Sequence, residues 1–222
     1  MIIAKRKPIK DILKMIDKDK KILLVGCGTC VTVCSAGGEK EVGILSKLIK
    51  IAFREESKSI QIIERTIKRQ CEKEFVEEIR EEIISCDAIL SMGCGIGVQT
   101  IADMFEDIPV YPALDTSFDG MPEEQGVWVE LCSCCGNCIL DKTGGICPIT
   151  RCPKSLLNGP CGGAQNGMCE VDKDTPCAWQ LIYDRLKKQG KLDALTEIEP
   201  IRDWSTSRNG GVRKIVREDL KL

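Results

Sequence analysis

The cysteines fall into two sets whose spacing suits metal ligation. Cys27, Cys30 and Cys34 form a Cys-x-x-Cys-x-x-x-Cys run in a glycine-bounded stretch, and Cys71 and Cys94 follow singly, the latter in Gly93-Cys-Gly-Ile-Gly97. The second set is Cys132, Cys134, Cys135, Cys138, Cys147, Cys152, Cys161, Cys169 and Cys177, all inside residues 127–178. Thiolates are soft ligands that take zinc or iron–sulfur clusters. The chain has 15 cysteines and no histidine. The lack of imidazole excludes Cys/His zinc fingers and histidine-based catalytic triads. An odd count and the absence of a secretory leader argue against a disulfide framework, and the expected location is cytoplasmic.

The first set needs a scaffold, and residues 1–126 supply one by alternating short apolar runs with amphipathic segments. Ile22-Leu23-Leu24-Val25, Ile60-Gln61-Ile62-Ile63, Ala88-Ile89-Leu90-Ser91-Met92 and Pro109-Val110-Tyr111 are strand-sized. Segments 39–53, 72–85 and 97–106 space apolar residues three and four apart, as in Leu45, Leu48, Ile49 and Ala52. The expected fold class is α/β: an open parallel sheet with helices, then a small irregular cysteine-rich metal-binding module and a C-terminal helix.

With the strands in the order second, first, third, fourth, the five cysteines meet beyond the carboxyl ends, where open α/β sheets bind ligands. Four of Cys27, Cys30, Cys34, Cys71 and Cys94 could hold a 4Fe-4S cluster, leaving one spare. Helix starts beside Cys71 and Gly95 would favour its negative charge. Cys86 precedes the third strand, at the opposite edge, and is assigned to the core. A dinucleotide loop fits poorly, because the third glycine of that fingerprint is Val31 in one place and Val98 in the other. Packing of small residues at a tight turn stays open for Cys27 or Cys71 taken singly.

Residues 127–178 hold nine cysteines with many Gly and Pro. Such a segment buries too little apolar surface to fold unaided, so metal would supply much of its folding free energy. Two four-ligand centres with Cys134 spare is the economical count, drawn from Cys132, Cys135, Cys138, Cys147, Cys152, Cys161, Cys169 and Cys177. Cys147-Pro and Cys152-Pro resemble ferredoxin cluster loops, although all-cysteine zinc sites use similar spacings. Residues 179–222 complete the chain: a helix over 178–188 and, from Arg208, a tail read as an arm that orders on a partner, whose deletion should weaken complex formation and leave metal content unchanged. Asp115, Asp119, Glu123 and Glu124 read as an exposed inter-domain loop, Lys18, Lys20 and Lys21 as a solvated helix end, and Trp128, Trp179 and Trp204 as packing residues.

Composition sets the outer limits. A hydrophobic share of 43% in 222 residues can build a core. A net charge of -2 gives no case for nucleic acid, and no stretch reaches the roughly 20 apolar residues of a membrane helix.

The string Gly144-Gly-Ile-Cys-Pro-Ile-Thr-Arg-Cys-Pro-Lys-Ser-Leu-Leu-Asn-Gly-Pro-Cys-Gly-Gly163, with Gly167-Met-Cys-Glu170 and Pro176-Cys-Ala-Trp179, resembles the small cysteine-rich (MetV-type) subunit of bacterial methylenetetrahydrofolate reductase. Arg69-Gln-Cys71 and Gly93-Cys-Gly-Ile-Gly-Val-Gln99 extend the likeness into the α/β part. The resemblance departs at Cys134, where the family usually has a small residue other than cysteine.

The resemblance implies an electron-transfer and structural subunit with no catalytic residues of its own. It would carry two or three 4Fe-4S clusters, with zinc an alternative at one site. Flavin would sit on a partner that reduces methylenetetrahydrofolate to methyltetrahydrofolate in the branch that builds acetyl groups from one-carbon units. An upstream electron-donor module would be a further partner. Two rivals stand beside it: a zinc-binding scaffold without electron transfer, and a stand-alone enzyme, which the lack of a convergent acid, base or non-thiol nucleophile disfavours.

Overall fold

A computed structural model describes residues 1–221. The chain forms two compact units, Met1–Trp128 and the part from Val129 onward.

The first unit opens with strand β1 (Ile2–Arg6) and helix α1 (Ile9–Met15), then builds a parallel sheet from β2 (Lys21–Cys27), β3 (Gln61–Ile67), β4 (Ala88–Ser91) and β5 (Val110–Pro112). The order is β3-β2-β4-β5, the one under which the sequence would bring the cysteines to one edge. β2 is central, pairing with β3 from Lys21 opposite Gln61 to Cys27 opposite Ile67, and with β4 from Ile22 opposite Ala88. A central strand covered on both faces must be apolar at every position, and β2 is buried from Ile22 onward.

Side chains of alternate residues feed two separate cores, as the strand period of two requires. Ile22, Leu24 and Leu90 join Ile12 of α1 and Val42, Leu45 and Ile49 of helix α3 (Glu39–Glu55). Leu23, Val25 and Ile89 join Val76 of α4 (Lys73–Glu77), Ile83 of α5 (Arg80–Ile84) and Ile101 of α6 (Gly95–Met104). A short helix α2 (Cys30–Val33) precedes α3. The single helix expected over 72–85 is two one-turn helices meeting at Ile79, whose φ of -113° and ψ of 19° interrupt the spiral. Cys86 is buried in the second core, as assigned from its place in the sequence.

A second sheet differs from expectation. β1 pairs antiparallel with β6 (Leu114–Glu124), and β7 (Val127–Cys132) completes the order β1-β6-β7. Asp115, Asp119, Glu123 and Glu124 therefore lie on a strand and not in a loop. Acidic residues are poor strand formers, but here Asp115, Glu123 and Glu124 are exposed and Asp119 is half-buried while Leu114 is buried, and β1 supplies the hydrogen-bonding partner. Gln125 and Gly126 turn the hairpin, with Gly126 at a φ of 89° that suits glycine.

Lys18 and Lys20 follow α1, while Lys21 opens β2. The Lys20 and Lys21 amides donate to Asp87 Oδ2 at 2.9 and 2.8 Å, fixing the start of the sheet. These bonds, from Lys21 first and then Lys20, hold the Asp87 carboxyl below its ordinary range.

The second unit has little regular structure: helix α7 (Pro148–Arg151), helix α8 (Ala178–Lys188) and 3-10 turns at Leu192–Thr196, Arg208–Gly210 and Glu218–Leu220. Its core is Ile146, Trp179, Ile182 and Leu186, against which Cys152 and Cys177 pack partly buried. The Trp179 indole N–H donates to Leu156 O at 3.1 Å, so this ring is a packing residue. Trp204 is exposed, with the Arg202 guanidinium over its ring. Among the described residues no helix is long and apolar enough to cross a membrane.

Candidate metal centres

At the first centre, three neighbouring parallel strands each lead to a thiol. Cys27 is the last residue of β2, Cys71 follows the end of β3, and Cys94 caps α6 just after β4. Strands paired in parallel end on one side of the sheet, which is what gathers residues so distant in sequence. Burial pushes the Cys71 thiol up, and the nearby charges of Cys27 and Cys94 push it further.

The 27–38 loop is folded against the sheet. Cys27 N–H donates to Gly37 O at 3.0 Å and Gly28 N–H to Ile67 O at 2.9 Å. A Cβ on Gly37 would lie 2.0 Å from Met92 O, so only glycine lets this loop approach the end of β4. Cys30 begins α2 and is half-buried. Cys34 is buried, and its thiol faces the carbonyls of Val31 at 3.7 Å and Ala4 at 3.8 Å.

Beneath these thiols lies a residue that motif spacing does not reveal. Gln70 is 1% exposed. Its Nε2 donates to Val25 O at 2.9 Å, and its Oε1 accepts from Ser91 Oγ at 2.5 Å. Ser91 Oγ in turn accepts from Gly93 N–H at 3.1 Å. One amide thus ties the segment bearing Cys71 to β2 and to the turn that carries Cys94. The sequence hints at it only through adjacency to Cys71 within Arg69-Gln-Cys71. Gln70→Ala removes the side-chain donor to the Val25 carbonyl, which keeps Met92 N–H at 2.7 Å, and the acceptor of the buried Ser91 hydroxyl, which keeps only Gly93 N–H; the loss should cost about 1 to 2 kcal/mol in urea unfolding. An unfolding midpoint equal to wild type would contradict this tie.

In the second unit, Cys152, Cys161, Cys169 and Cys177 line one cavity. Cys152 closes α7 and Cys177 caps α8. Between them a tight loop is pinned by Cys169 N–H to Thr175 O and Cys177 N–H to Gly167 O, both at 2.8 Å. The Cys161 thiol donates to Glu170 Oε1 at 3.3 Å, and Lys154 pairs with the same carboxylate. Lys154 first, and then Cys161, hold Glu170 below its ordinary range. The cavity is about 20 Å³, room for roughly one water-sized occupant.

The other thiols of this unit sit apart from that cavity. Cys132 ends β7 and accepts from Cys134 N–H at 3.4 Å. Cys135 contacts the Arg202 guanidinium, Cys138 is exposed, and Cys147 caps α7. Cys134 has a φ of 52°, a left-handed conformation in the middle of the cysteine turn. Among the described residues no disulfide forms, and no three Cys, Asp or Glu side chains are drawn together closely enough to hold a metal ion.

The donor set is of the type that takes a thiophilic metal. Four thiols share one cavity without a competing nitrogen ligand, and three more end neighbouring strands.

Residues 111–205 match the model of a family described as methylene-tetrahydrofolate reductase C terminal. No curated protein and no solved structure matches the chain. The matched segment contains all nine thiols of the second unit together with Asn158-Gly-Pro-Cys-Gly-Gly163. Residues 111–205 are therefore similar to the methylene-tetrahydrofolate reductase C-terminal family, over somewhat less than half of the chain.

Proposed function

We propose that this chain is the electron-transfer and structural subunit of a methylenetetrahydrofolate reductase complex, holding iron–sulfur clusters and supplying electrons to a flavin on a partner subunit. The observation that carries the reading is the gathering of thiols distant in sequence: Cys152, Cys161, Cys169 and Cys177 around one cavity within the reductase-related domain. Cys27, Cys71 and Cys94 at the ends of adjacent strands support it.

The ligands at the first centre are Cys27, Cys30, Cys71 and Cys94. Cys34 is the spare, because its thiol is taken up by the carbonyls of Ala4 and Val31. In the second unit the ligands divide into Cys152, Cys161, Cys169 and Cys177 for one centre and Cys132, Cys135, Cys138 and Cys147 for another. When bound, a 4Fe-4S cluster takes up and releases single electrons. The chain's own residues supply the thiolates, and the apolar packing of Cys152 and Cys177 on Trp179 and Leu156 keeps part of the site from water.

Zinc is the second reading at the Cys152 centre, because a four-thiolate zinc site would use the same donors and the cavity there is small, about 20 Å³. A zinc-bound centre there would make that part of the module a scaffold.

Mixing the dithionite-reduced chain with the flavin-bearing reductase subunit tests the reading. Bleaching of the flavin absorbance is expected. A complex that forms without bleaching would leave only the scaffold role.

A further inference from the structure

We propose that the segment 199–213 is an intrachain clasp over both cysteine loops of the second unit, and that Arg202 is a positioning residue that donates a charged N–H···S hydrogen bond to Cys135 as a metal-bound thiolate. The second half rests on the reading of Cys135 as a ligand.

The clasp begins at Asn158, in the loop that leads to Cys161. Asn158 Oδ1 accepts from Glu199 N–H at 2.7 Å and its Nδ2 donates to Glu199 O at 3.3 Å, so one amide holds the tail by both backbone groups. Lys142 pairs with the Glu199 carboxylate at 2.6 Å. Further on, the tail crosses the Cys132–Cys138 turn. Thr206 Oγ1 donates to Cys135 O at 2.9 Å and Arg213 Nη1 to Cys134 O at 2.6 Å. Gly136, with a φ of 79°, lies directly under this crossing, since a Cβ there would come 2.4 Å from Thr206 O. The arm expected from Arg208 onward to order on a partner overlaps this segment only at 208–213, where Arg213 Nη1 already donates to Cys134 O within the cysteine-rich unit. Its removal should therefore affect metal content.

Arg202 contributes more than a strap. Its Nη2 lies 2.9 Å from Cys135 Sγ and also donates to Asn137 O. The guanidinium is steadied over the Trp204 ring at 5.0 Å from its centroid. Its Nε is buried and has no hydrogen-bond acceptor among the described residues. A permanently charged group with a buried orphan donor calls for an anion beside it. A thiolate held by a metal centre is such an anion. A hydrogen bond to it favours the more electron-rich, reduced state of the centre and so raises its reduction potential.

The test uses the full chain purified without oxygen, as wild type, Arg202→Leu, Arg202→Lys and Gly136→Ala. Trypsin cleavage after Arg208 and Arg213 reports the clasp whatever the metal content. Cleavage in Arg202→Leu and Gly136→Ala should be at least tenfold faster than in wild type, and equal rates would overturn the clasp. Redox titration by electron paramagnetic resonance reports the hydrogen bond. At a solution potential equal to the wild-type midpoint, the reduced-to-oxidised ratio should fall severalfold in Arg202→Leu and be partly restored in Arg202→Lys. Faster cleavage with an unchanged titration would overturn the positioning role and leave a purely mechanical strap. A chain that binds no metal would defeat the functional reading together with the Arg202–thiolate role, and the cleavage rates would still decide the clasp.

Discussion

Serine in place of Cys169 is expected to empty the Cys152 centre and release the loops of the second unit. That unit buries only Ile146, Trp179, Ile182 and Leu186 as a continuous apolar core. Four such side chains contribute on the order of 6 to 12 kcal/mol, too little to order the long, glycine-rich segment around them at about 1 to 2 kcal/mol per residue. On the proposed reading, metal ligation would be a further stabilising contribution, about 10 to 16 kcal/mol per four-thiolate site in small metal-folded domains. Loss of one thiolate should lower metal content by one whole centre and make residues 152–177 at least tenfold more susceptible to proteolysis. Metal analysis and a protease time course on the same preparation would show both. Wild-type behaviour in both would mean that this module folds by some means other than ligation by Cys169.

Cys94→Ser should act on metal as strongly but leave its unit folded. The two cores flanking the parallel sheet are formed by Leu23, Leu24, Val25, Ile89, Leu90 and their helical neighbours, and Cys94 only touches the edge of one of them. The expected result is loss of the first centre, about four iron and four sulfide per chain if it is a cubane. The far-ultraviolet circular dichroism and the thermal midpoint of the first unit should change little. Unfolding of the first unit on this substitution would contradict its metal-independent core, and an unchanged metal content would remove Cys94 from the ligand set.

The difference between these two outcomes follows from how each unit was legible. Strands β2 to β5 could be read because buried parallel strands are short apolar runs, and Ile22-Leu23-Leu24-Val25 and Ala88-Ile89-Leu90 stand out between polar stretches. Their order was not legible in these runs; the sequence showed only that one order would bring the cysteines to one edge, and β3-β2-β4-β5 is that order. The antiparallel sheet could not be read in the same way. β6 is acidic and carries Gly120 and Pro122, and its partner β1 lies more than a hundred residues earlier, with Ile2 opposite Asp119. No local pattern announces a pairing that depends on the rest of the fold.

The thiols show the same division. Spacing marked which cysteines could bind metal, but the grouping of Cys152, Cys161, Cys169 and Cys177 came from the turns that return Cys169 and Cys177 to the end of α7. The exposed, short-spaced Cys132–Cys138 run gives no such hint of its neighbour Arg202. Supporting residues were invisible for a plain reason. Gln70 and Arg202 belong to types that are usually solvated, and only burial and partners distinguish them.

The central claim is that thiolates of this chain hold redox-active metal. The most direct measurement is iron, acid-labile sulfide and zinc per chain on protein purified without oxygen, with electron paramagnetic resonance after reduction. The account predicts about four iron with matching sulfide for each cluster-bearing centre and a reducible cluster signal. Zinc alone, without iron or sulfide, would contradict it and leave this chain a scaffold.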